Sequence, residues 1–442
     1  MAAQDSKTAN GQTWDVAIIG GGPGGSTAAT LLARQGYRVA LFEKARHPRF
    51  HIGESLLPAN LPLFEELGVA EEIRAIGMEK WGAEFVSPWH REGHQAFAFA
   101  EAWNKTLPHA YQVQRAPFDE ILFRNAVRHG ATAYEGCRVT DVTFLPGTQG
   151  VLVDSRQDDG TVAQHQARFL IDASGRDTFL ANRARSKRRN PRHNSAAMFA
   201  HFRNARRHTG REEGNISIFW FDDGWFWFIP LPDGVTSVGA VVWPYYMKRR
   251  DKPVTDYFLE TIGKCPALAE RLRDATRVTD VEATGNFSYQ CTHSHGPNHL
   301  LLGDAFAFID PVFSSGVMLA MQSAFAAATA VDAILSERQS VRAALRAYDR
   351  SLRHGPRHFA WFIYRINQPS MRDLFMRPSN RFRAKEALLS VLAGDIFGDT
   401  PIWKSLRAFK LVYYIHVWSH APRSLRAWFG RRRAIRVTAG EA

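Results

Sequence analysis

The stretch Trp14–Glu43 reads WDVAIIGGGPGGSTAATLLARQGYRVALFE. WDVAIIG is an apolar run of strand length, GGPGGSTAATLLARQG a turn followed by a helix of small residues, and YRVALFE a second strand. The order makes a βαβ opening, with Gly20-x-Gly22-x-x-Gly25 placed where strand turns into helix. Gly20 permits the tight turn, and Gly22 lets a pyrophosphate approach the backbone. Gly25 lets helix and strand pack closely, so the phosphates meet the free N–H groups of the helix N-terminus. Glu43 ends the second strand and is placed to accept a hydrogen bond from a ribose hydroxyl. A lone glycine motif says little, but strand, glycines, helix, strand and acid in order describe a nucleotide site.

A second segment narrows the nucleotide. HLLLGDAFAFIDPVFSSGVMLAMQSAFAAATAV carries an apolar strand into Gly303-Asp304, then a loop, then a long helix of small residues from about Ser315. Asp304 can hold the ribityl chain or ribose of a flavin dinucleotide, and the helix start at Gly316 can aim amides at the isoalloxazine edge. ARFLIDASGRDTFLA, between the two segments, resembles the strand-and-glycine segment of such flavoproteins. The cofactor expected is therefore FAD rather than NAD.

The rest of the chain frames these segments. Its 442 residues, 45% hydrophobic and 22% charged, suit a globule with an ample core. MAAQDSKTANGQ is polar and lacks a signal-peptide pattern, so residues 1–13 are expected to be a flexible lead-in. No stretch approaches about 20 uninterrupted apolar residues, so no transmembrane segment is expected. Cys137, Cys265 and Cys291 lie too far apart for a disulfide framework or zinc knuckle, which fits a reducing cytoplasm. CTHSHGPNH (Cys291–His299) lacks paired-ligand spacing, no metal site is expected, and no Ser/His/Asp order with a nucleophile elbow occurs. The net charge of +13 concentrates at Lys187–Arg206 and Arg423–Arg436 without a nucleic-acid motif. Such a surface attracts an acidic protein, an anionic cofactor or a membrane, or is simply solvated.

The expected architecture is an α/β, Rossmann-like three-layer FAD fold of the flavin monooxygenase type. Its core spans residues 14–355, with an antiparallel substrate sheet interleaved at about 80–115 and 195–290. A C-terminal helical cap with a basic tail follows over 356–442; its apolar run KLVYYIHVW is read as core packing ahead of a membrane contact or the lining of a lipophilic pocket.

Three further segments carry a resemblance. GWFWFIPLP fits W-x-W-x-I-P as Trp225, Trp227, Ile229 and Pro230. The loop Phe308–Gly316 fits F-x-x-P-x-x-S-x-G through Pro311, Ser314 and Gly316. GMEKWGAEF places Lys80 before a Gly-Ala pair. Together with GESLLP (Gly53–Pro58) and LLSVLAGDIF (Leu388–Phe397), these segments resemble the flavin-dependent halogenases over essentially the whole chain.

The resemblance implies a definite chemistry. FAD supplied reduced by a separate flavin reductase, with O2 and chloride or bromide, gives hypohalous acid. Trp225 and Trp227 then act as a partition that keeps the organic substrate from the flavin. Lys80, with its pKa lowered by partial burial, holds or receives the halogen beside an electron-rich aromatic or conjugated substrate. Backbone amides of Ser315 and Gly316 bind halide, while Arg49, Arg115 and Pro311 border the flavin. The tryptophan-halogenating branch carries a glutamate before its Ser-x-Gly, where this chain has Phe313. That departure favours the pyrrole, phenol and carrier-protein branch, in which several substrates are acyl groups tethered to acidic carrier proteins. Two other readings share the residues: a flavin hydroxylase or isoprenoid-chain reductase on the same fold, and an inactive flavoprotein that binds a carrier protein.

Overall fold

The computed structural model describes residues 8–147, 149–285 and 288–436. Its first sheet places the strands His295–Gly296, His299–Leu301, Val162–Asp172, Thr8–Ile19, Val39–Glu43 and Thr132–Glu135 side by side. From His299–Leu301 to Thr132–Glu135 every pairing is parallel. Parallel strands are covered on both faces and read as unbroken apolar runs. Val16, Ala17, Ile18, Val39, Ala40 and Leu41 are accordingly all fully buried. The helix Pro23–Arg34 packs against Arg115–Arg128 and Gly316–Leu335, and Val341–Ile363 lies against the latter. This is the parallel α/β arrangement that Trp14–Glu43 foretold.

The second sheet runs Thr276–Arg277, Ala196–Arg203, Val235–Val242, Gly224–Pro230, Ile216–Phe221, Gly82–Val86 and His94–Ala98, with Glu282–Gly285 beside Ala196–Arg203. Its two distant parts of the chain meet where Ile216–Phe221 pairs in parallel with Gly82–Val86. Side chains alternate between faces. Trp225, Trp227 and Ile229 join Trp220 and Phe85 in the core under the C-terminal helices. Phe226 and Phe228 point the other way, into a core closed by residues of Val254–Gly263 and Pro266–Arg271.

Two expectations need correction. The first strand starts at Thr8, not after a flexible segment 1–13: Thr8 and Ala9 pair with Ala163 and Gln164 before a register shift. Backbone pairing needs no apolar side chain, so polar residues concealed it; residues 1–7 lie outside the described residues. The boundary at 355/356 falls inside the helix Val341–Ile363, which carries Pro356. A Cβ on Gly355 would lie 2.3 Å from Leu319 Cδ2, so the glycine serves close helix packing within one continuous helix. Gly316–Leu335 is long and apolar enough to cross a membrane by length and composition, but more than half of it is buried inside the protein, as in a core helix.

Candidate active site

A cavity of about 620 Å³ opens at the ends of the parallel strands and is lined by Gly20, Gly22, Glu43, Gly303 and Asp304, among others. The three motif glycines divide the work as their spacing predicts. Gly20 has φ +101°, and a Cβ there would sit 2.4 Å from the Ala173 carbonyl oxygen. A Cβ on Gly25 would lie 1.8 Å from the Gly20 carbonyl oxygen, so the helix can meet the strand only at glycine. Gly22 faces open space, its nearest neighbour being Arg49 Nη2 at 3.6 Å. The next residue, Pro23, starts the helix Pro23–Arg34, whose first amides have no partner within the helix. Glu43 is buried; its carboxylate accepts from the Gly21 amide (2.8 Å) and the Ala45 amide (2.9 Å), holding the acid at the rim.

Both predicted arginines border this cavity, and they share one carboxylate. Asp119 Oδ1 accepts from Arg115 Nε (2.8 Å), and Oδ2 accepts from Arg115 Nη2 (3.0 Å) and Arg49 Nη1 (2.9 Å). Burial alone would raise the Asp119 pKa, but the two guanidinium groups hold it below its ordinary value. Arg115 Nη1 also donates to the carbonyls of Ile52 and Gly53, tying the GESLLP segment to the clamp. Sequence reasoning missed Asp119, although Arg115 and Asp119 stand one helical turn apart.

Asp304 follows Gly303, which adopts φ +54°, and burial pushes its carboxyl up to about 6. Pro311, Ser314 and Gly316 reach the same cavity, with Ser314 in the left-handed region at φ 55°. Ser315 does not border it: the residue is buried against a small cavity of about 40 Å³ shared with Gly316, Asp310 and Phe308. Gly316 therefore opens onto both spaces at the N-terminus of the helix Gly316–Leu335. Asp310 anchors the loop, accepting from the Val312 amide (3.1 Å) and meeting His193 Nε2 (2.6 Å) and Ser195 Oγ (3.2 Å), all buried. Phe313 packs on Phe359 and Phe362, with ring centroids 6.4 and 6.3 Å away, so no carboxylate stands at that position.

Trp225 and Trp227 form the apolar wall of the large cavity, with ring centroids 6.2 Å apart. Trp227 Nε1 donates to Ser237 Oγ (3.1 Å), and its ring lies over Gly239, where a Cβ would come within 2.2 Å. Lys80 ends the strand Met78–Lys80 and is 1% exposed. Its Nζ donates to Ser55 Oγ and the Leu56 carbonyl, both at 2.9 Å, and lies 5.3 Å from the Phe99 ring centroid. Burial lowers its pKa to about 7. Ser55 borders the large cavity and Lys80 does not, so the amine stands one hydrogen bond behind the wall. Next to Ser55, buried Glu54 also borders the cavity and bonds His201 Nε2 at 2.7 Å, while its Oε2 has no hydrogen-bond partner. Burial would lower His201, but the Glu54 carboxylate raises it above its ordinary value. No local signal links Glu54 to His201, which lies on the strand Ala196–Arg203 of the second sheet.

These residues fit a flavin dinucleotide. The cavity falls within the range of about 300–1,000 Å³ usual for small-molecule and cofactor sites. It also places an open glycine, a helix N-terminus, two acids and an unpartnered carboxylate oxygen around one elongated space.

Residues 13–359 match the family model described as FAD binding domain. A 1H-pyrrole-2-carbonyl peptidyl-carrier-protein chlorinase of Pseudomonas fluorescens is 31% identical over 410 residues, covering 87% of this chain and 90% of that protein. The chain belongs to the flavin-dependent halogenases. FAD is the cofactor of this halogenase fold. The solved myxobacterial chondrochloren halogenase is 34% identical with a TM-score of 0.77, covering 92% of this chain and 97% of that one. A tryptophan 2-halogenase of Chondromyces crocatus is 34% identical over 348 residues, which are 76% of this chain and 64% of that protein. The halogenase chain thus spans less than two thirds of the tryptophan enzyme but nearly all of the carrier-protein one.

Proposed function

We propose that the protein halogenates an electron-rich aromatic or conjugated acyl group presented on a carrier protein, using Lys80 as the halogen carrier. The observation behind this reading is the buried Lys80 amine, held near neutrality one hydrogen bond from Ser55 at the flavin cavity. Bound reduced, FAD would supply two electrons to O2, which takes two more from halide to give hypohalous acid and water. The helix-opening amides at Ser315 and Gly316 hold the halide. Trp225 and Trp227 keep the organic ring away from the flavin, while the small hypohalous acid passes. The free amine of Lys80 then attacks the halogen: an N–halogen bond forms, the O–halogen bond breaks, and hydroxide leaves with an amine proton as water. The substrate carbon takes the halogen from nitrogen, and its ring proton restores the amine. Arg49, Arg115, Glu43, Asp304 and Pro311 position the flavin.

Tethering is favoured over free tryptophan because Phe313 stands where the tryptophan-halogenating branch carries the glutamate that acts with the lysine. The excess of 13 positive charges also suits an acidic carrier. A separate flavin reductase in the cytoplasm completes the cycle. With such a reductase, NADH and bromide, a pyrrole or phenol acid is compared free and as its carrier thioester. The thioester is expected to react with kcat/KM at least about tenfold higher. Equal values would remove the carrier protein from this account.

A further inference from the structure

The C-terminal helices Trp403–Ser419 and Ala421–Arg436 carry a surface that the site does not use. The first helix buries one face through Leu406, Phe409 and Tyr413. Its opposite stripe is bare, with Leu411 62%, Ile415 60% and Trp418 80% exposed. On the second helix, Leu425, Trp428 and Phe429 are also exposed, by 47–61%. KLVYYIHVW is therefore core on one side only, and the other side corrects the expectation that it simply packs. Scattered apolar residues on a surface are ordinary, whereas three at helical spacing along one face, with three more on the helix that follows, are a concentration that needs a cover.

The charges around the patch say what covers it. Between Trp403 and Gly440 the sequence contains no Asp or Glu. Lys404 and Arg407 prolong the Leu411–Ile415–Trp418 stripe at helical spacing, and Arg426 and Arg432 flank Trp428 and Phe429. The nearby acid Asp373 is taken by Arg423 (2.9 Å) and His90 (3.0 Å), leaving Lys404, Arg407 and Arg426 without an ion pair among the described residues. The second helix is also anchored rather than trailing: Arg431 donates to the Arg192 carbonyl at 2.9 Å and lies 5.9 Å from the Trp243 and Tyr364 ring centroids. Tryptophan, phenylalanine and branched aliphatic tips rimmed by arginine are the composition of a helix lying in a lipid headgroup layer. A carrier protein would engage the cations but needs a matching concave apolar face for the row of tips. A lipid interface accepts them without one.

We propose that this face adsorbs to an anionic membrane surface, the apolar tips entering the headgroup–acyl boundary and the arginines pairing with lipid phosphates. The test is flotation of the full chain with vesicles of phosphatidylcholine alone or of equal parts phosphatidylcholine and phosphatidylglycerol. Binding to the mixed vesicles is expected to exceed binding to neutral ones at least about tenfold, and to weaken with salt. Trp418→Ser with Trp428→Ser should reduce it about tenfold, as should Arg407→Glu with Arg426→Glu. These side chains are exposed, so circular dichroism and Tm should match the parent. Absence of binding to the anionic vesicles overturns the proposal, as does binding that both variants retain. Binding of an acidic carrier protein that the substitutions abolish, with no vesicle binding, would likewise overturn it and make the face a protein interface.

Discussion

Lys80→Ala is expected to cut halogenated product by roughly 10²–10⁴-fold, the usual span for a removed proton- or group-transfer residue, while flavin oxidation and hypohalous acid release continue. The split follows from position: Lys80 lies behind Ser55, outside the cavity where the nucleotide motifs converge. Its nucleophilic form is the free amine, so product formation should rise with pH through about 7, the value to which burial lowers it. Stability supplies a second readout independent of turnover. Between about 7 and the ordinary 10.5, the unfolded chain binds a proton that the folded chain refuses. Folding stability of the parent should therefore rise with pH across that window relative to Lys80→Met, which has no proton to bind. Parallel Tm profiles for the two proteins would mean that the amine is not held near neutrality. Normal halogenation by Lys80→Ala would end its assigned role.

Small residues at Trp225 and Trp227 should change the product rather than merely slow its formation. With both indoles gone, an aromatic substrate can reach the flavin, and oxygenated product should appear as halogenated product falls. Burial complicates the experiment, since a buried tryptophan cut to alanine costs about 3–5 kcal/mol. Trp225→Leu and Trp227→Leu are gentler, and they should differ. Trp227→Leu strands the fully buried Ser237 hydroxyl and vacates the space over Gly239, so it should lower Tm more than Trp225→Leu does. The measurement is the ratio of halogenated to oxygenated product, with Tm alongside. If only Tm moves, the pair is core and not a partition.

Local signals carried much of this. The order of elements in Trp14–Glu43 located the parallel sheet because Gly20 and Gly25 answer steric demands set within that turn itself. On the strand Gly224–Pro230 the W-x-W spacing sets both tryptophans on one face. What stayed hidden depends on pairing over distance. Nothing near Glu54 points to His201, nor near Asp310 to His193, because each pair is made where separate strands and loops fold together. Lys80 was expected to be partly buried, and the structure encloses it completely; its depth depends on Ser55, Leu56 and Phe99 arriving from elsewhere. The strand start at Thr8 escaped notice because ladder hydrogen bonds do not depend on side-chain polarity.

The central claim is that oxidising power leaves the flavin as halogen rather than as oxygen. It is tested most directly by the mass of the product formed from reduced FAD, O2 and one phenol or pyrrole substrate, with bromide and without it. A brominated product is expected only when bromide is present, with no product gaining one oxygen when it is omitted. A hydroxylated product that forms equally well in both reactions would contradict it.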